Sequence, residues 1–161
     1  MTASGLPARR GALIARFRAL PAPALDQLAG THEAVFVGPA PLRVAAPRSI
    51  ALAGMPRWYG KRFGPGPDDA TLAGVNLLRR PGGGFEERHP MTATVESSWL
   101  DGAPALVVSY GAGGPIPWRW VRDEFRPAGD GTLLGLTFTC SAALRALAAP
   151  FVLERRDTPG T

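Results

Sequence analysis

From residue 70 onward the chain is a succession of short strand-like runs punctuated by turn residues, and this pattern constrains the fold more than anything else in the sequence. Strand candidates fall at 71–79, 91–100, 105–110, 118–126, 132–140 and 151–156, rich in β-branched, aromatic or alternating apolar residues. Between them lie Pro81-Gly82-Gly83-Gly84, Asp101-Gly102, Gly111 to Pro115, and Gly129-Asp130-Gly131, all with turn chemistry. Met91, Ala93, Val95 and Trp99 are apolar, while Thr92, Thr94, Glu96 and Ser98 are polar. That alternation marks an antiparallel strand with one buried face. Leu134, Leu136, Phe138 and Cys140 draw a second such face. With a further run at 33–37, these strands favour a mainly β fold, an antiparallel barrel rather than a sandwich, because closure removes exposed edges.

Upstream the pattern changes. Leu13, Phe17 and Leu20 recur at helical spacing and Pro21 and Pro23 follow, which predicts a short N-terminal helix from residue 10. Residues 1–9 and 158–161 read as tails and 10–157 as one domain. The stretch 38–69 is dense in proline and glycine and reads as an irregular lid or plug. Residues 141–149 read as a short helix or a loop.

Composition removes several function classes. The 161 residues carry a net charge of +5, but Arg9, Arg10, Arg16 and Arg18 supply four of these charges within an acid-free N-terminus. The rest of the chain is near neutral, which argues against a specific nucleic-acid surface. No apolar run is long enough for a membrane span. Cys140 is the single cysteine, so no intrachain disulfide forms, and a reducing, cytoplasmic setting is expected. His32 and His89 are the only histidines and have no metal-site spacing. No Gly-x-Ser-x-Gly elbow exists, and Pro81-Gly82-Gly83-Gly84-Phe85 lacks the lysine and helix of a phosphate loop. No metal or cofactor is expected.

What remains is acid–base and hydrogen-bond chemistry in an apolar pocket. If 118–126 is a strand, one face carries Trp118, Trp120, Arg122, Glu124 and Arg126; the other carries Arg119, Val121, Asp123 and Phe125. Either choice sends at least one carboxylate and one guanidinium among large apolar side chains, where charge is paired or used. The bland reading is an internal ion pair fixing register. In the functional one, Asp123 or Glu124 is an acid or base, and Tyr59 or Tyr110 donates to a substrate oxygen. Candidate ligand contacts are Trp58, Tyr59, Lys61, Arg62, Trp99, Tyr110, Trp118, Trp120 and Arg122; for each tryptophan, plain core packing competes with ligand contact.

Three features together resemble a lipocalin-like bacterial family of unknown function named for a Gly-x-Trp-x-Gly signature. These are Leu25-Asp26-Gln27-Leu28-Ala29-Gly30 leading into the first strand, the block Trp58-Tyr59-Gly60-Lys61-Arg62-Phe63, and Trp120-Val121-Arg122-Asp123-Glu124 followed by Asp130-Gly131-Thr132-Leu133-Leu134-Gly135. The resemblance spans roughly residues 12–156. Of the signature Gly30 is kept, with His32 and Ala34 in place of the tryptophan and second glycine. The resemblance implies a calycin-type barrel with a cavity, in which the signature residue packs under an arginine of the last strand, here Arg155 or Arg156. The function so anticipated is binding of a small, largely hydrophobic molecule. The alternative is a barrel enzyme, a cyclase or isomerase, working by pocket shape and one carboxylate.

Overall fold

A computed structural model describes residues 5–139 and 148–156. Eight antiparallel strands close into a barrel in chain order: β1 (Gly30–Phe36), β2 (Trp58–Pro65), β3 (Leu72–Arg79), β4 (Phe85–Ser97), β5 (Pro104–Ser109), β6 (Val121–Gly129), β7 (Thr132–Thr139) and β8 (Ala149–Arg156). β8 returns to β1, pairing Thr31 with Arg156 through to Phe36 with Phe151. A barrel of this strand number has an interior just wide enough to be filled by side chains or to hold one small ligand. This one does both.

One half of the interior is packed solid. Leu28, Phe63, Leu106, Phe125, Leu133 and Leu153 are buried there in one cluster, and inward-facing Gly74 stands where a Cβ would lie 2.4 Å from the Phe63 ring. The 3₁₀ turn Leu25–Leu28 closes this end. His32 is fully buried beneath it, its Nε2 donating to the Leu28 carbonyl at 2.8 Å. Arg155, the cross-strand partner of His32, donates to the Gln27 carbonyl at 3.1 Å. So His32 and Arg155 fasten the same turn. Arg156 instead faces outward to Glu33 and Glu154.

A second core lies outside the barrel. Helix α1 (Arg10–Ala19) buries Leu13 and Phe17 against Leu134, Leu136, Phe138 and Val152, the outward residues of β7 and β8. Complete burial of a side chain such as Phe17 contributes roughly 2–3 kcal/mol. β7 therefore has both faces covered, and reads as a nearly continuous apolar run for that reason.

The segment 38–69 departs from the irregular lid or plug anticipated from its composition. Residues Ala40–Leu52 form helix α2 and Trp58–Pro65 is a barrel strand. Pro41 sits in the first turn of α2, where its missing N–H costs no hydrogen bond; Pro47 lies in the interior. The strand was hidden by a bulge between Trp58 and Gly60 and by an inward-facing lysine, which together break the alternation. The strand anticipated at 118–126 is displaced along the chain: Trp118–Trp120 is a 3₁₀ turn and β6 runs Val121–Gly129. The expectations for the tail residues 1–4 and 158–161, for residue 157, for most of 141–149 and for Cys140 lie outside the described residues.

Burial acts to lower the His32 pKa from its ordinary 6.5; the bond to Leu28 opposes this and the Arg155 charge adds to it, leaving the pKa lowered. Folding thus disfavours the protonated ring. Stability is full above the unfolded value near 6.5 and declines as pH falls below it. His89, lowered by burial and by Arg88, acts in the same direction but is partly exposed. A His32→Gln variant is expected to lose less stability than the native chain between about pH 7 and pH 5. Melting curves across that range check this, and parallel profiles for the two proteins contradict it.

Candidate functional site

The other half of the barrel interior is open. A cavity of about 230 Å³ lies between the packed end and helix α2. Leu42, Ala46, Ser49 and Ile50 of α2 line one side; their spacing of i, i+4, i+7 and i+8 is one face of a helix. Phe36, Phe151, Val121 and Met55 supply further apolar wall. Trp118 also lines the cavity, and its indole N–H donates to the Ala53 carbonyl at 2.9 Å, tying the end of α2 to the rim.

The floor is polar. Lys61, the chain's only lysine, projects inward from β2 and is about 1% exposed. Its Nζ stands 3.2 Å from Asp123 Oδ2 on β6. With eight strands in a ring, β2 and β6 are diametrically opposed, so this ion pair spans the lumen. Nζ also donates to Tyr110 Oη at 3.1 Å and to Asn76 Oδ1 at 3.3 Å. Asn76 Oδ1 accepts from Trp58 Nε1 at 3.0 Å, and Asn76 Nδ2 donates to Tyr110 Oη at 3.0 Å. The other oxygen of Asp123 accepts from Thr137 at 2.7 Å. Burial acts to lower the Lys61 pKa; its contacts with Tyr110 and Asp123 outweigh this, and the net direction is upward. Lys61 is therefore held as an ammonium.

Of the residues singled out from sequence, Trp58, Lys61, Tyr110, Trp118 and Asp123 meet around this cavity. Asn76 and Thr137 join them and were missed; their only signal was a polar residue inside an otherwise apolar strand. The others stand elsewhere. Glu124 is buried but faces the outer side of β6, accepting from Ser98 Oγ, from the Trp99 N–H at 2.8 Å and from Arg122 Nε at 2.8 Å. Arg122 also bonds Glu96 and lies 4.6 Å over the Trp99 ring. Glu124, Arg122 and Trp99 thus clasp the β4–β5 turn to β6, outside the cavity. Tyr59 is on the outer surface, its ring tilted against Phe85 and under Arg79; Arg62 pairs with Glu87 in solvent. Trp120 is half exposed beside Arg119. The cause is common to all: the inward set of β6 is Val121, Asp123 and Phe125, and the bulge before Gly60 turns Lys61 inward and Tyr59 and Arg62 outward.

Among the described residues no group of three His, Cys, Asp or Glu side chains is placed to hold a metal ion, and no helix is long and apolar enough to cross a membrane. No family model matches the chain and no curated protein matches it. A crystal structure of a protein from Thermomonospora curvata is similar, with a TM-score of 0.65 at 23% identity over 96% of this chain and 93% of that one. That similarity shows the barrel fold.

Proposed function

We propose that this chain binds a small, largely apolar molecule in its barrel cavity, with one polar group of the ligand set on the Lys61–Tyr110–Asn76–Asp123 floor. It is in this sense a lipocalin-like binding barrel, in keeping with the resemblance carried by Gly30 and the Trp58–Phe63 block. The observation that carries the reading is an open, apolar-walled cavity over a floor whose charges are already paired. A cavity of about 150 Å³ admits benzene; by that scale about 230 Å³ takes about nine non-hydrogen atoms. The ligand is then a single-ring compound or a short branched chain. Helix α2, which buries no residue of its own completely, is the element through which it enters.

An isomerase or cyclase acting through a carboxylate is the weaker reading. Both oxygens of Asp123 are engaged, by Lys61 and by Thr137, and Glu124 is on the far side of the strand. The two readings separate on Asp123→Asn, which abolishes turnover yet spares affinity only if the carboxylate reacts.

Native mass spectrometry of freshly purified protein, paired with an organic extract, tests the binding reading. A non-covalent mass of single-ring size that disappears on denaturation and is recovered in the extract is the expected result. An unliganded mass that remains unchanged after incubation with a library of single-ring compounds would overturn it.

A further inference from the structure

The hydrogen-bond polarity of the floor is forced, and it selects the ligand. Trp58 Nε1 and Lys61 Nζ can only donate, and both point at the same atom of Asn76. That atom is therefore the amide oxygen, and the amide nitrogen faces Tyr110. Tyr110 Oη thus receives two hydrogens, one from Asn76 Nδ2 at 3.0 Å and one from Lys61 Nζ at 3.1 Å. Both of its lone pairs are occupied, so its own hydrogen must leave in a third direction. No described residue accepts it.

The remaining donors are spent. The three Lys61 hydrogens are shared among Asp123, Tyr110, Asn76 and, at 3.7 Å, Met91 Sδ. Trp58 is committed to Asn76 and Trp118 to Ala53. Tyr110 lines the cavity and is only 7% exposed, so solvent does not readily supply an acceptor. Two donors on one phenol oxygen also polarise its O–H and strengthen the bond it gives. Lys61 and Asp123 neutralise each other, and a ligand bearing net charge would add an unpaired charge to an apolar chamber.

Resting on the binding reading above, we infer that the ligand is a neutral carbonyl compound, a ketone, aldehyde or ester, whose oxygen accepts a hydrogen bond from the Tyr110 hydroxyl. The inference specifies an acceptor, excludes a carboxylate, and gives Tyr110 the one direct polar contact. Lys61 and Asn76 are positioning residues that aim the hydroxyl.

Acetophenone, isopropylbenzene and benzoate, which match in size and differ in polarity, are the probes. Titration by tryptophan fluorescence should show acetophenone binding more tightly than benzoate. Tyr110→Phe should weaken acetophenone roughly three- to tenfold, the worth of one hydrogen bond, while isopropylbenzene holds or gains. A readout on the native chain guards against a variant that fails to fold: the carbonyl stretch of bound, ¹³C-labelled acetophenone should fall below its value in alkane. Tighter binding of benzoate, or a bound carbonyl at its alkane frequency, overturns the inference and leaves the binding reading standing. Failure of all three probes to bind overturns both.

Discussion

Asp123→Ala is expected to lower folding stability by about 3–5 kcal/mol, because it leaves the buried Lys61 ammonium without its counter-charge. Both partners are nearly shielded from solvent, with side-chain exposures of 2% and 6%. The attraction therefore acts in a poorly screened interior, and the loss of one partner is not made good by water. Lys61→Met together with Asp123→Asn should recover much of the loss, since the methionine keeps the apolar stem and the amide still meets Thr137. The pH dependence should also change sign. In the native chain the Lys61 pKa is raised above 10.5, so its contribution is complete below that value and is lost as pH climbs through the folded pKa. Without Asp123, burial dominates and folding favours the neutral amine, so stability rises as pH approaches about 10.5 from below. Urea unfolding between neutral and alkaline pH reads both effects. A single replacement costing under about 1 kcal/mol, with no reversal of slope, would show that the pair is solvated and not a lumenal floor.

The barrel was legible because its later strands obey period two, and because the turns at Asp101-Gly102 and Gly129-Asp130-Gly131 announce themselves. β2 and α2 were not legible as elements. In β2 the bulge before Gly60 and the inward Lys61 spoil the alternation. In α2 the prolines overshadow a real helical stripe, Leu42, Ala46, Ser49 and Ile50. The choice between Asp123 and Glu124 could not be made locally either. Both faces of β6 are buried, one by the lumen and the other by α1 and the β4–β5 turn, so hydrophobicity does not distinguish them. What decides is register: Asp123 pairs with Val108 and Phe125 with Leu106, two residues of the inner cluster. The site is thus assembled from five strands, β2, β3, β5 with its following residue, β6 and β7, each giving one polar residue or two. Single polar residues scattered over so much sequence carry no recognisable spacing.

The other large effect is expected at Arg126, far from the cavity. Its guanidinium is about 1% exposed and makes a bidentate pair with Asp101 at 2.7 and 2.8 Å. It also donates to the carbonyls of Phe17, Ala103 and Pro104 and lies 4.6 Å over the Phe17 ring. One planar fork therefore joins β6, the β4–β5 turn and the end of α1, a geometry suited to arginine and not to lysine. Arg126→Ala removes the counter-charge beside Asp101 and the donor from three carbonyls at once, and is expected to cost about 3–5 kcal/mol, chiefly through the orphaned carbonyls. Arg126→Met, which restores the stem against Phe17, should recover part of this. The damage should be ordered in space. Amides of α1 are expected to lose hydrogen-exchange protection before those of β2 and β3, because the helix is fastened to the barrel through Phe17 and this fork. The acid side supplies a sign: the hydrogen bond from Arg126 is the main cause holding the Asp101 pKa below its usual 3.8. That stability is present above the unfolded value and is lost as pH falls through the lower, folded one. The native chain should therefore lose its advantage over Arg126→Ala in strong acid. Uniform loss of protection across helix and barrel would contradict the fork as a local fastener and make α1 an inseparable part of the barrel's folding unit.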